Sequence, residues 1–154
     1  MKHVLLITDG SCLGNPGKGG WACILRYGEY KRERFGSEPH TTNNRMELTA
    51  AIQGLAMLKE RCSVEVITDS EYVKNGITKW ITGWKQRGWK TSEKKPVVNQ
   101  DLWVRLDELA NGHDVKWKWT KGHASHEDNN RCDELANRAA REQISSDPRP
   151  AKSA

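Results

Sequence analysis

The order of apolar and polar positions divides the chain into a β-rich first third and a mixed remainder. Val4-Leu5-Leu6-Ile7 is apolar at consecutive positions, the pattern of a central strand covered on both faces. It predicts a strand over residues 2–8. A Gly-rich turn follows, then strands over Trp21–Tyr27 and Tyr30–Ser37 separated by a short turn at Gly28. Such short connections imply an antiparallel meander. From Asn44 to Lys59 the period changes, and Glu47, Ala51, Leu55 and Leu58 fall on one helical stripe. Val64–Thr68 returns to a strand, which the preceding helical crossover makes parallel to its neighbour. Helical stretches over 71–87 and 100–111, a strand over Val115–Trp119 and a helix over 127–142 complete the series. Gln143–Ala154 holds two prolines without periodicity and is predicted to be a disordered tail. The order βββαβααβα describes one α/β domain over residues 1–142, a mixed sheet with helices packed on its faces.

Size and composition agree with one water-facing globule. The chain has 154 residues, 36% apolar and 29% charged, enough for a single core and too polar for a membrane protein. The first apolar run is four residues long, too short for a secretory signal, so a cytoplasmic location is expected. Cys12, Cys23, Cys62 and Cys132 stand singly, which suits reduced thiols rather than a disulfide framework. His123, His126 and Cys132 match no structural zinc spacing.

A net charge of +5 favours a polyanionic partner. The distribution sharpens this. Lys79, Lys85, Arg87, Lys90, Lys94 and Lys95 stand against the single acid Glu93, with Trp80, Trp84 and Trp89 interleaved. Two phosphate motifs are rejected nonetheless. Gly17-Lys18-Gly19-Gly20-Trp21-Ala22 fits a G-x-G-x-x-A string but leads into a strand, whereas a dinucleotide site opens a helix. A P-loop fails because Gly19 stands where Ser or Thr is required.

Four carboxylates carry the chemistry. Asp9 ends the central strand, Asp69 ends the strand beside it, Glu47 lies on the apolar stripe of the first helix, and Asp133 lies within the last helix. Each has a bland alternative. Asp9-Gly10 suits a hairpin, Asn44 to Glu47 has capping-box spacing, Asp69 or Ser70 suits an N-cap, and Asp133 suits a solvated helix face. Glu47 is the difficult case, because the face that enters the core carries an acid, and an unpaired buried carboxylate is costly. Acids gathered at strand ends repel one another unless a cation neutralises them. Oxygen-only ligands point to Mg2+ or Mn2+, and such a cluster can hold two ions for in-line attack on a phosphodiester.

These residues sit in five segments that resemble bacterial type 1 ribonuclease H. They are Thr8-Asp9-Gly10-Ser11-Cys12-Leu13-Gly14-Asn15-Pro16-Gly17, Thr42-Asn43-Asn44-Arg45-Met46-Glu47-Leu48, Thr68-Asp69-Ser70, Trp119-Thr120-Lys121-Gly122-His123 and Asn130-Arg131-Cys132-Asp133-Glu134-Leu135-Ala136. The similarity covers about residues 1–142, with the segments in the family's order. It implies a ribonuclease H-like fold, whose five-stranded mixed sheet has three antiparallel strands plus two parallel. It also implies a magnesium-dependent endonuclease that cuts the RNA strand of RNA/DNA hybrids, leaving 3′-hydroxyl and 5′-phosphate ends. Asp9, Glu47, Asp69 and Asp133 become the metal ligands, and His123 becomes a proton shuttle in a Gly-flanked loop.

The resemblance further implies contacts to the hybrid's wide minor groove and backbone from Cys12, Asn15, Asn43, Asn44 and Glu71, with Thr42 on a DNA phosphate. The segment Lys79–Lys95 corresponds to a basic protrusion that grips the DNA strand through Trp80, Trp84, Lys85, Arg87, Trp89 and Lys90, in a salt-sensitive manner, with core packing the alternative for Trp80 and Trp84, which stand at i and i+4. Glu71 departs from the Gln usual among relatives, and Gly83 interrupts the protrusion. A monomer is expected. Two rivals remain, a hybrid-binding module without catalysis and a DNA nuclease or strand-transfer enzyme on the same fold.

Overall fold

The computed structural model describes residues 1–120 and 127–146. Its elements are β1 (Lys2–Cys12), β2 (Gly17–Tyr27), β3 (Tyr30–Thr41), α1 (Asn43–Ala56), β4 (Cys62–Thr68), α2 (Glu71–Asn75), a π-helical turn (Gly76–Trp80), α3 (Ile81–Gln86), α4 (Gln100–Asn111), β5 (Asp114–Trp119) and α5 (Glu127–Glu142). The sheet order is β3-β2-β1-β4-β5. β1, β2 and β3 are antiparallel, while β4 runs parallel to both β1 and β5.

The consecutive apolar residues of β1 divide between two cores. Val4 and Leu6 join α1 and α4 on one face, where Leu48, Leu55, Trp103 and Leu106 are fully buried. Ile7 joins Ala22, Ile24, Ile67 and the α5 residues Cys132, Leu135 and Ala136 on the other. Each such aliphatic side chain contributes roughly 1.5–3 kcal/mol on burial, so both faces of β1 resist exposure. Helices therefore cover both sides of the sheet. The Cys132 thiol is spent in this second core, donating to Ala22 O at 3.2 Å.

The strands run longer than the alternation predicts. β1 continues to Cys12, β2 begins at Gly17, and β3 reaches Thr41 through Pro39 on an edge strand, where a missing N–H is tolerated. Gly17–Gly20 is thus ladder, not turn. Gly20 is needed because α5 lies on β2 at this point, and a Cβ there would stand 2.5 Å from Ala140 N. The actual turn, Leu13–Pro16, is closed by Leu13 N–H donating to Lys18 O at 2.8 Å.

The predicted 71–87 helix is broken by the π-turn at Gly76, where the Trp103 ring occupies the space a Cβ would take. α1 starts one residue early and stops at Ala56, with Leu58 partly buried beyond it. At the chain's end, Gln143 donates to Gly19 O at 3.3 Å, and the Ser146 hydroxyl accepts from Phe35 N at 3.0 Å. The first four residues of the predicted tail are therefore tied to the sheet.

One loop contact makes a pH prediction. His113 Nδ1 accepts the backbone N–H of Cys62 at 3.1 Å, fastening the α4–β5 turn to the start of β4. Burial, then the Arg61 charge, holds its pKa below the ordinary 6.5. The bond's contribution to stability is full above about pH 6.5 and declines as pH falls below it, since the unfolded chain takes up the proton first, and it is gone once pH passes the folded pKa. His113→Ala is expected to cost roughly 1 kcal/mol at pH 7.5. It should also make urea-unfolding stability less pH-dependent just below pH 6.5, and an unchanged slope there would refute this role.

Candidate active site

Three elements deliver acids to one point because of how their ends are built. Asp9 is inside the β1 ladder, opposite Ala22, so the hairpin explanation does not apply. Thr42 caps α1, its Oγ1 accepting from Arg45 N at 3.2 Å, which removes the capping-box role from Glu47. Ser70 caps α2, accepting from Val73 N at 3.1 Å, so Asp69 is not the cap. Trp119 then fixes the Asp69 backbone, its indole N–H donating to Asp69 O at 2.9 Å.

The result is a tight group of acids. One carboxylate oxygen from each of Asp9, Glu47 and Asp69 lies within 4.8 Å of the others. Asp133, half-buried on α5, is within hydrogen-bonding reach of Asp9. The close approach depends on Gly10, since a Cβ there would stand 2.5 Å from Glu47 N and 2.7 Å from Met46 C. α1 therefore rests directly on the β1 backbone.

Electrostatics make the group unstable in its fully ionised form. Burial, then Asp69 and Asp133, pushes the Asp9 pKa up to about 8, opposed by the Gly10 N–H at 2.9 Å. Glu47 is raised well above its ordinary range by burial, then by Asp9 and Asp69. Asp9 Oδ2 and Glu47 Oε1 are buried without a hydrogen-bond partner among the described residues. Hard oxygen donors, buried, crowded and lacking donors, are what a divalent cation satisfies.

Around this group the predicted substrate residues assemble unevenly. Asn15 Oδ1 accepts from Asn43 N at 3.1 Å, tying the Leu13–Pro16 turn to the start of α1. Cys12 Sγ points at the carbonyls of Gly14, Gly17 and Thr41. Thr42, Asn43 and Asn44 open α1 beside them, and Glu71 is exposed at the start of α2. His123 lies outside the described residues.

The basic segment is partly committed elsewhere. Lys85 Nζ pairs with Asp107 at 3.0 Å, and Arg87 Nε donates to Lys90 O at 3.1 Å. Trp84 and Trp89 pack against the main core, while Trp80 is 38% exposed at the edge of a Tyr72–Trp84–Trp103 aromatic cluster. Trp89, a residue that follows a glycine amid cations, is thus also a packing residue. Lys79, Lys90, Lys94 and Lys95 stay exposed.

Two residues escaped the sequence reading. Trp119, which stood in the sequence only as the first residue of a family segment, holds Asp69 through its backbone carbonyl. Asn129, buried at 8% exposure beside the acids, lies four residues before Asp133, on the same face of α5. That spacing was the available signal.

Fold and site together define a class: a five-stranded mixed-sheet α/β protein with a carboxylate cluster where the central strand meets its parallel neighbour. The RNase H family model matches residues 1–141, and the chain belongs to the RNase H family, in its bacterial type 1 branch. Ribonuclease H of Solibacter usitatus (strain Ellin6076) is 69% identical over 146 residues, spanning 95% of this chain and all of that one. The crystal structure of LC9-RNase H1, described as a type 1 RNase H with the type 2 active-site motif, superposes with a TM-score of 0.84 at 36% identity, over 94% of this chain and 75% of that one. LC11-RNase H1 in complex with RNA/DNA hybrid shares the fold at 22% identity and a TM-score of 0.65, over 90% of this chain and 97% of that one. Among the described residues no helix is long and apolar enough to cross a membrane.

Proposed function

We propose that the chain hydrolyses the RNA strand of RNA/DNA hybrids by a two-metal-ion mechanism, giving 3′-hydroxyl and 5′-phosphate ends. The observation that carries this is the convergence of Asp9, Glu47 and Asp69, with buried oxygens on Asp9 and Glu47 that have no hydrogen-bond partner among the described residues. Asp9, Glu47, Asp69 and Asp133 would hold Mg2+, or Mn2+ in its place. Bound there, such ions supply Lewis-acid stabilisation of phosphoryl charge and a water nucleophile at neutral pH.

The protein's own groups bind and orient. Asn15, Asn43 and Asn44 present amides, and Cys12 and Glu71 polar edges, to a groove displaying 2′-hydroxyls. Thr42 holds a DNA phosphate, and Trp80, Trp84, Lys85, Arg87, Trp89 and Lys90 form the grip on the DNA strand. His123 shuttles protons during attack or product release. The domain spans residues 1–142, acts as a monomer and works in the cytoplasm.

The test is direct. Labelled RNA/DNA hybrid, duplex DNA and duplex RNA are incubated with Mg2+ or with EDTA, and the ends are mapped. Loss of the RNA strand from the hybrid alone, abolished by EDTA, is expected. Cleavage that persists in EDTA, or equal cutting of duplex DNA, overturns the reading.

A further inference from the structure

On the α5 side of the sheet, behind the acids, a cavity of about 10 Å³ is lined by Ile7, Thr8, Asp9, Ile67, Asp69 and Asn129. Asn129 enters it from the first turn of α5. Its amide nitrogen is engaged, donating to Thr120 Oγ1 at 3.4 Å. Thr120 is in turn anchored by its backbone N–H to Thr68 O at 2.9 Å, next to Asp69. With the nitrogen so occupied, the carbonyl oxygen Oδ1 is buried and has no hydrogen-bond partner among the described residues. A buried acceptor left in that condition is costly.

Across the cavity stand carboxylates, which when ionised only accept. With the acids ionised around a bound cation, an acceptor facing acceptors is satisfied by a small group with two O–H bonds between them. The cavity is at the threshold size for one water molecule, and Asn129, Asp9 and Asp69 supply the two to four polar partners a buried water requires.

We infer that Asn129 is a positioning residue that holds one ordered water behind the acid cluster. The water donates to Asn129 Oδ1 and to the Asp9 carboxylate, and so sets the orientation of Asp9 toward a divalent cation. Groups that orient a metal ligand in this way alter affinity by about 10–100-fold when removed. The inference rests on the metal-ligand reading of Asp9.

Mg2+ is titrated calorimetrically, without substrate, into the full-length protein and into Asn129→Leu, Thr120→Val and Asp9→Asn. Asn129→Leu keeps the bulk of the side chain and removes the acceptor. It is expected to bind Mg2+ about tenfold more weakly, with a smaller Mg2+-induced rise in Tm. A long-lived water detected by NMR cross-relaxation to the Thr8 backbone amide is expected in the unsubstituted protein and absent from Asn129→Leu. Loss of Tm with Mg2+ affinity unchanged within twofold marks a merely structural residue and overturns the inference, as does failure to detect the water. Should Asn129→Leu not fold, Thr120→Val, which releases the amide, decides: weaker Mg2+ binding supports the inference and unchanged binding overturns it. Asp9→Asn separates the two readings. If it binds Mg2+ as tightly as the unsubstituted protein, the metal-ligand reading itself falls; if it loses binding while Asn129→Leu does not, only the positioning role falls.

Discussion

Asp9→Asn is expected to lower hybrid cleavage by about 10³-fold or more, the upper end of what losing one preorganised electrostatic group costs, while making the metal-free protein more stable. The two effects share one origin. Asp9 is buried against Asp69 and Asp133, and its pKa is pushed up to about 8. Between about pH 4 and pH 8 the unfolded chain has released this proton and the folded chain still holds it. Stability of the metal-free protein therefore falls as pH rises through that window and levels off above it. The amide of Asn carries no charge, so the substitution removes the penalty, which is near zero at pH 4 and grows to its full size by about pH 8. Urea unfolding in EDTA at both pH values measures it. A metal-free variant less stable than its parent at pH 8 would contradict the crowding of acids described above. Added Mg2+ should narrow the difference, because the cation stabilises the parent more than the variant.

Gly10→Ala should damage both stability and the site without touching an acid. An added methyl would meet Glu47 N at 2.5 Å and Met46 C at 2.7 Å, both backbone atoms that cannot rotate away. α1 must move off β1, and overpacking of this kind costs typically 1–3 kcal/mol, occasionally more. The displacement carries Glu47 away from Asp9, so Mg2+ affinity should fall by about tenfold or more. Thermal unfolding in EDTA and calorimetric Mg2+ titration check the two effects separately. Gly28→Ala is the control, since nothing lies within 4 Å of a Cβ there and the cost is confined to its positive φ of 58°. Unchanged Mg2+ affinity in folded Gly10→Ala would show that α1 can shift without disturbing the acids.

Much of this was legible in the chain. The apolar run of β1 announced a strand covered on both faces, and Glu47 on the stripe with Ala51 and Leu55 announced an acid entering the core. Asp69 was placed by a strand end, whereas Asp9, expected to end the central strand, lies inside its ladder, because β1 continues in register with β2 to Cys12. What escaped had a common cause: it depends on who stands opposite. Gly17, Gly19 and Gly20 read as a turn because the residue type does not say whether it serves conformation or close approach, and at Gly20 only the position of α5 decides for the latter. The break at Gly76 needed the Trp103 ring, which is remote in sequence. Asn129 became meaningful only once β1, β4 and α5 enclosed a space together.

The partition of β1 between two cores also bears on how the acids find their place. Val4, Leu5, Leu6 and Ile7 are all apolar, so sliding the strand by one residue would exchange one greasy side chain for another and cost little in burial alone. The same slide would bring Thr8 or Gly10 to the spot where Asp9 belongs, and would press a side chain against α1 where only a hydrogen atom fits. Alignment of the central strand is thus specified less by its oily stretch than by the small residue that follows it.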